Sequence, residues 1–211
     1  MYTIALYKSS SEKMSDKSNL FYNLLNYPFL FNIVRSLLDS GQVKYLKTVL
    51  LKYNIQNVLD IGCGCGFFSQ ITDGKYLGID YNRNFIDYCR KKFGTADKRF
   101  VQSDAMTFDI DGKYDTSIII NSIHHFTDLE VLKILQKMKE VTERFVVIHD
   151  LVPLNNFVSK FFYKIDRGKY IRSLECQKAL IQKAGITIKE ILFLRRFPWV
   201  YLHSTFICAF S

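Results

Sequence analysis

Several common signatures are missing from this 211-residue chain. No uninterrupted apolar stretch approaches the roughly 20 residues that a helix needs to span a bilayer. The segment 1–19 lacks the basic start, apolar core and small-residue cleavage site of a secretory signal peptide. No internal repeat or low-complexity linker divides the chain. We therefore expect a flexible arm over 1–19 and one domain over 20–211, located in the cytoplasm.

Cysteine pairs and acidic residues are also in short supply. Of the five cysteines, only Cys63 and Cys65 lie close together, so neither a disulfide framework nor two short-spaced pairs of zinc ligands can be drawn. The chain has 29 Lys and Arg against 20 Asp and Glu, a net charge of +9, with the excess strongest after Leu151. This charge favours nucleic acid, anionic lipid or an acidic metabolite as partner, although a solvated lysine-rich surface explains it equally well.

Alternating strand and helix patterns occupy most of the chain. The predicted strands cover 57–61, 76–79, 99–102, 116–120 and 145–148, and the predicted helices cover 84–93 and 128–141. Such alternation is typical of a mainly parallel α/β sheet. Two final strand patterns, at 186–193 and 200–209, are joined by a short connection and can pair antiparallel. Ahead of the sheet, apolar residues recur at helical spacing, which predicts a helical cap over 20–54.

The most informative segment is 58–66, which reads Val-Leu-Asp-Ile-Gly-Cys-Gly-Cys-Gly. A strand that ends in a glycine-rich turn before a helix start can cradle a nucleotide-like cofactor, because glycine lets a ligand approach the main chain closely. The dinucleotide fingerprint requires a glycine where Phe67 stands. A P-loop is excluded as well, since no Lys-Ser or Lys-Thr pair follows the glycines.

The pattern D-x-G-x-G-x-G at 60–66 instead resembles the first motif of class I S-adenosylmethionine-dependent methyltransferases. The order of the later motifs extends this resemblance from Val58 onward. It implies a three-layer Rossmann-like α/β sandwich: a seven-stranded, mainly parallel sheet with a C-terminal antiparallel hairpin and an N-terminal helical cap. It also implies S-adenosylmethionine as cofactor, with S-adenosylhomocysteine as product.

The resemblance assigns cofactor contacts residue by residue. The expected cofactor-binding residues are Asp60, Gly62, Cys63, Gly64, Gly66, Asp80, Tyr81, Asp104, Ala105 and Asn121. Asp80 would accept hydrogen bonds from the ribose, Asp104 would accept from the adenine amino group, and Asp60 would help hold the methionine amino group. Two other interpretations stay open: Asp80 could cap the helix that begins after Asn82, and Asp104 could cap its own loop.

The loop after the fourth predicted strand, at 121–126, reads Asn-Ser-Ile-His-His-Phe and contains no proline. It therefore lacks the Asn/Asp-Pro-Pro-aromatic motif of enzymes that methylate amino groups of bases. Its His-His-Phe ending resembles small-molecule methyltransferases, including the ubiquinone/menaquinone-biosynthesis type. His125, with His124 as second choice, and His149 beside Asp150 are the candidate general bases, although each histidine can also serve packing alone.

Two aromatic and basic segments are candidates for binding the methyl acceptor. One belongs to the cap, and the other to a substrate-covering insertion expected over 151–172. The expected substrate residues are Tyr22, Tyr27, Phe31, Tyr163, Arg167, Tyr170 and Arg172. Arginines there can pair with a carboxylate or phosphate, whereas the aromatic side chains can equally form the core of the cap.

The sequence thus predicts methyl transfer by in-line displacement to a small, aromatic or anionic metabolite, by a monomer or homodimer. One alternative is an RNA methyltransferase, motivated by the basic C-terminal third. A second is a lipid or quinone methyltransferase at a membrane surface, with the apolar segment 20–38 lying on the membrane. A third is a non-catalytic module that uses the cofactor-binding fold for interactions.

Overall fold

The computed structural model describes residues 41–154, 156, 157, 159, 169–195 and 202–210. In that part of the chain the helices are α1 (Gln42–Lys52), α2 (Arg83–Phe93), α3 (Asp128–Val141) and α4 (Leu174–Lys183). The strands are β1 (Asn57–Ile61), β2 (Lys75–Asp80), β3 (Lys98–Gln102), β4 (Tyr114–Ile120), β5 (Thr142–Val152), β6 (Thr187–Arg195) and β7 (Leu202–Ala209). Short 3-10 turns occupy Phe67–Ile71 and Ile123–His125.

The seven strands form one sheet in the order β3-β2-β1-β4-β5-β7-β6. The first five pair in parallel, and β7 pairs antiparallel with both β5 and β6. Since β1 lies between β2 and β4, the strand order reverses beside it, which is where open α/β sheets bind their ligands. The predicted seven-stranded, mainly parallel sheet with an antiparallel C-terminal hairpin is confirmed.

Side-chain alternation along the central strands builds a core on each face of the sheet. Val58 of β1 packs in a cluster with α1 and α2, and its neighbour Leu59 packs in a second cluster with α3 and α4. In β5, Val147 faces the first cluster and Ile148 the second. Because helices cover both faces of the sheet, the central strands are continuous apolar runs. A polar residue at the end of such a strand is therefore easy to recognise in the sequence.

Side-chain caps set the starts of three helices. The Asn82 side chain accepts hydrogen bonds from the first turn of α2, and Ser173 does the same for α4. Thr127 and Glu130 form a reciprocal capping box at the start of α3. These caps satisfy backbone donors that have no partner inside the helix. They also fix where each helix leaves the carboxyl edge of the sheet.

Some local predictions differ from the structure. The segment after the glycines is a 3-10 turn of five residues rather than the start of a helix. Helix α4 was not among the elements predicted from the sequence. The arm at 1–19 and residues 20–40 of the expected cap lie outside the described residues, whereas α1 falls within the cap's last part. In the portion of the chain described here, no helix has the length and apolar character needed to cross a bilayer.

Candidate active site

The glycine turn after β1 is held in shape by its own backbone and by β2. Gly62, Gly64 and Gly66 all adopt positive φ angles, of 75°, 54° and 72°, which glycine tolerates best. The amides of Gly62 and Cys63 both donate to the Ile79 carbonyl, at 2.8 and 2.9 Å. Since these two amides already donate inside the protein, they are not available to a ligand. The turn instead lets a ligand approach the main chain closely, because glycine has no side chain.

Asp80 is bonded to this turn at the end of β2. Its Oδ2 accepts from the Gly64 amide at 2.9 Å, and its Oδ1 accepts from the Asn82 amide at 2.8 Å. Burial raises the pKa of Asp80 above its ordinary value, and the two backbone donors act in the opposite direction. The cap of α2 is Asn82 rather than Asp80. Tyr81, the next predicted contact, is 76% exposed beside it.

Asp60 lies inside the sheet, next to the turn. Its Oδ2 accepts a hydrogen bond from the Tyr76 hydroxyl at 2.5 Å, while its buried Oδ1 has no partner among the described residues. Burial raises the pKa of Asp60 to about 7, against the lowering effect of the Tyr76 bond. A buried acceptor without a donor is costly unless a ligand or water supplies one.

Asp104 and Ala105 lie in the turn after β3. Asp104 is exposed, and its Oδ1 accepts from the Met106 amide at 2.7 Å, so it caps its own turn. The loop-capping interpretation is therefore correct for one carboxylate oxygen. A single bond of this kind leaves the second oxygen available, and the expected adenine contact stays a prediction.

Asn121, at the end of β4, adopts a backbone conformation that is uncommon outside glycine, with φ of 49°. Its Nδ2 donates to Gln42 Oε1 at 2.9 Å, and its buried Oδ1 has no partner among the described residues. The hydroxyl of the next residue, Ser122, lies 3.0 Å from the Ile120 carbonyl and 3.4 Å from the Gly62 carbonyl. Asn121 is thus held at the edge of the glycine turn, and its expected contact with the cofactor stays a prediction.

His124 and Asp150 form a buried pair across the ends of β4 and β5. The carboxylate of Asp150 contacts Nδ1 of His124 and also accepts from the His124 amide at 3.2 Å. Burial alone would raise the pKa of Asp150, but the His124 ring and the hydrogen bonds outweigh it and hold that pKa below its ordinary value. His125 is exposed, with its ring centroid 4.3 Å from that of His124.

His149 does not fit the predicted role of a base. Its ring is fully buried on the α1 face, where Nδ1 lies 2.7 Å from Thr205 Oγ1 and Nε2 lies 3.2 Å from Gln42 Oε1. Asp150 points to the opposite face, because neighbouring residues alternate along a strand. Its burial and these two contacts agree with the packing interpretation of His149.

Arg172 does not fit its predicted role of binding a substrate anion. Its guanidinium is buried and donates to the carbonyls of Ile123 and Phe126 and to Asp128, at 2.8, 2.6 and 2.8 Å. With these donors engaged, Arg172 anchors the loop after β4. Tyr170 is 41% exposed, and its amide donates to the His124 carbonyl at 2.9 Å, which places it next to the histidines.

The remaining predicted substrate residues lie outside the described residues. They are Tyr22, Tyr27, Phe31, Tyr163 and Arg167. The described part of the candidate site is formed by the ends of β1, β2, β3, β4 and β5 and the loops that follow them.

Two features of this site were not predicted from the sequence. Gln42, which contacts Asn121, carries no sequence signal, because a single glutamine at a helix start is unremarkable. The pairing of Asp150 with His124 rather than with His149 depends on β4 and β5 lying side by side. Strand alternation argued against a contact between Asp150 and His149, but only the sheet order brings His124 to Asp150.

Comparisons with known proteins agree with this architecture. Residues 58–144 match a family model described as a methyltransferase domain. A protein of Invertebrate iridescent virus 6 whose name describes it as a methyltransferase is 29% identical over 119 residues. The match covers 49% of this chain and 41% of the viral protein. The fatty-acid O-methyltransferase of Mycolicibacterium smegmatis is 29% identical over 82 residues, covering 36% of this chain and 30% of its own. The chain thus spans less than half the length of either relative.

Solved structures share the fold at low identity. Magnesium protoporphyrin IX methyltransferase from Synechocystis, with bound S-adenosylhomocysteine, has a TM-score of 0.66 at 18% identity, covering 81% of this chain and 82% of that one. An S-adenosylmethionine-dependent methyltransferase from Clostridium acetobutylicum has a TM-score of 0.68 at 10% identity, covering 88% and 99%. The sheet order and the glycine turn thus agree with the fold of these methyltransferases, and the match to the methyltransferase domain covers residues 58–144.

Proposed function

We propose that this protein binds S-adenosylmethionine and transfers its methyl group to a small-molecule acceptor. The observation that carries the proposal is the bond between the Asp80 carboxylate and the Gly64 amide, which joins the end of β2 to the glycine turn at the reversal of strand order. The matched methyltransferase domain spans this segment. The cofactor supplies an activated methyl group on a sulfonium, so the protein has to position the acceptor, exclude water and remove a proton.

The residues around the turn fit the two ends of this cofactor. Asp80 and Tyr81 would contact the ribose side, and Asp104 with Ala105 the adenine. At the other end, the buried Oδ1 atoms of Asp60 and Asn121 have no partner among the described residues, and an ammonium group supplies the donors that such oxygens require.

The buried pair of His124 and Asp150 is our candidate for proton removal from the acceptor. The Asp150 carboxylate would orient the imidazole through Nδ1 and stabilise the positive charge that forms when the ring takes a proton. The exposed His125 is the competing candidate. Tyr170, beside these histidines, would face the acceptor.

The acceptor is proposed to be a small aromatic or anionic metabolite. The relatives named above, a fatty-acid O-methyltransferase and a magnesium protoporphyrin IX methyltransferase, are named for small-molecule acceptors. The fatty-acid relative also favours the alternative of lipid methylation at a membrane surface. A cytoplasmic location and a monomeric or homodimeric state complete the proposal.

Calorimetric titration of the purified protein with S-adenosylhomocysteine tests the cofactor assignment, with NAD as control. Saturable binding of S-adenosylhomocysteine alone supports it, and absence of binding contradicts it. Transfer of labelled methyl groups from S-adenosylmethionine to a panel of phenols, carboxylic acids and fatty acids then tests the acceptor class. The fatty acids should be offered with and without liposomes, because only the membrane alternative requires the lipid surface.

Binding of S-adenosylhomocysteine should release a proton near pH 6. The pKa of Asp60 in the free protein lies at about 7, so its carboxyl is largely protonated at pH 6. An ammonium group placed beside it favours the ionised form, and affinity should therefore rise as the pH increases from about 5 to about 7. Titrations in buffers of different ionisation enthalpy measure the released proton. Asp60→Asn should remove the buffer dependence, and a wild-type protein without buffer dependence would contradict the role given to Asp60.

Replacement of His124 by asparagine should lower methyl transfer to a phenol from the panel, which still carries its proton near pH 7, by at least about tenfold. Affinity for S-adenosylhomocysteine should change less than about twofold, since the ring acts on the acceptor's proton rather than on the cofactor. His125→Asn is the comparison variant. A loss of transfer in His125→Asn but not in His124→Asn would assign the base to His125 and reject the buried pair.

A further inference from the structure

A buried polar network connects the first helix to the end of β4. Gln42, the first residue of α1, accepts from Asn121 Nδ2 at 2.9 Å and contacts His149 Nε2 at 3.2 Å through the same Oε1. Its Nε2 lies 3.3 Å from Nε2 of His203 on β7. Gln42, Asn121, His149 and His203 are each at most 6% exposed. The network thus links three strands to α1 through one side chain.

The chemistry of the side chains determines which atom of each pair in this network donates the hydrogen bond. Because Gln42 Oε1 can only accept, the His149 nitrogen facing it carries the proton. Since Gln42 Nε2 can only donate, the facing nitrogen of His203 accepts. The side-chain Nδ2 of Asn121 must therefore donate to Gln42, and the Oδ1 of Asn121 points away from the network.

Asn121 has an uncommon backbone conformation that its hydrogen bonds maintain. A φ of 49° in a residue other than glycine is unfavourable and persists where surrounding contacts enforce it. Two contacts do so here: the Asn121 amide donates to the His149 carbonyl at 2.8 Å, and its side chain donates to Gln42. The Oδ1 atom of Asn121 is buried and has no partner among the described residues. The next residue, Ser122, contacts the Gly62 carbonyl, so this oxygen lies near the glycine turn.

We propose that Gln42 is a positioning residue that fixes Asn121 so that its Oδ1 receives the ammonium group at the amino-acid end of the cofactor. This inference rests on the proposed binding of S-adenosylmethionine. It makes α1 part of the cofactor pocket although Gln42 itself touches no ligand. The adenine and ribose end would be bound independently of Gln42.

Two ligands that differ only in the amino-acid end separate this role from general stabilisation. S-adenosylhomocysteine carries the ammonium and carboxylate groups, and 5′-methylthioadenosine lacks both. Gln42→Met preserves the volume and apolar packing of the side chain but removes its hydrogen bonds. We expect it to weaken S-adenosylhomocysteine binding by about tenfold while methylthioadenosine binding changes less than about twofold. Asn121→Gly, which suits a positive φ and deletes the oxygen, should give the same selective loss.

Gln177→Met is the matched control. Gln177 is also a buried glutamine, but it lies in α4 and donates to the Leu151 and Arg172 carbonyls on the other face of the sheet. Its loss should leave the affinity ratio of the two ligands unchanged. Equal weakening of both ligands in the Gln42 and Asn121 variants, or no weakening, would overturn the inference alone. A wild-type protein that binds neither ligand would overturn the proposed function itself.

Discussion

Replacement of Asp80 by alanine should reduce the affinity for S-adenosylhomocysteine on the order of 100-fold. The carboxylate holds the Gly64 amide and is expected to accept from the ribose, and hydrogen bonds to a charged group contribute about 1.5–3 kcal/mol each. Asp80→Asn should give an intermediate loss, because an amide has one acceptor oxygen where the carboxylate serves both the Gly64 and Asn82 amides. Calorimetric titration of both variants measures the effect.

The exposed Asp109, in the loop after β3, supplies the control. Asp109→Ala removes the same charge away from the glycine turn and should leave the affinity within about twofold of the wild-type value. Circular dichroism of the Asp80 variants shows whether they keep the fold. An Asp80→Ala protein that is folded and binds within threefold of wild type would refute the position of the cofactor.

Replacement of Gly66 by alanine should lower the free energy of unfolding by about 2–5 kcal/mol. The φ of 72° imposes a penalty of roughly 1–2 kcal/mol on any residue with a Cβ atom. A Cβ atom would also lie 2.9 Å from Cys89 Sγ and 3.1 Å from Phe93 Cδ2, and such overpacking costs roughly 1–3 kcal/mol more. Denaturant unfolding measures the change.

Gly112 separates these two contributions. Its φ of 86° imposes the same backbone penalty, but a Cβ atom there would meet nothing within 4 Å. Gly112→Ala should therefore cost only about 1–2 kcal/mol. If the two variants lose equal stability, the close packing between the glycine turn and α2 contributes nothing, and the shape of the turn rests on backbone conformation alone.

The candidate site was partly predictable because some of its residues are local to a strand end. The glycine turn, Asp60 and Asp80 follow directly from a strand pattern and its terminating residues. Arg172 was misassigned because a basic residue in an aromatic segment looks the same whether its donors face a ligand or buried carbonyls. His149 was misassigned because the sequence does not reveal that Gln42 and Thr205 enclose its ring.

By itself, the sequence determined the alternation of strands and helices, the antiparallel ending and the glycine turn that indicates the cofactor. These features arise from side-chain periodicity and backbone freedom, which act over a few neighbouring residues. Only the tertiary structure decided that Asp150 pairs with His124, that Arg172 anchors a loop, and that Gln42 holds Asn121. Those contacts join residues 26 to 79 positions apart, so they depend on the order of strands in the sheet and on how α1 packs against it.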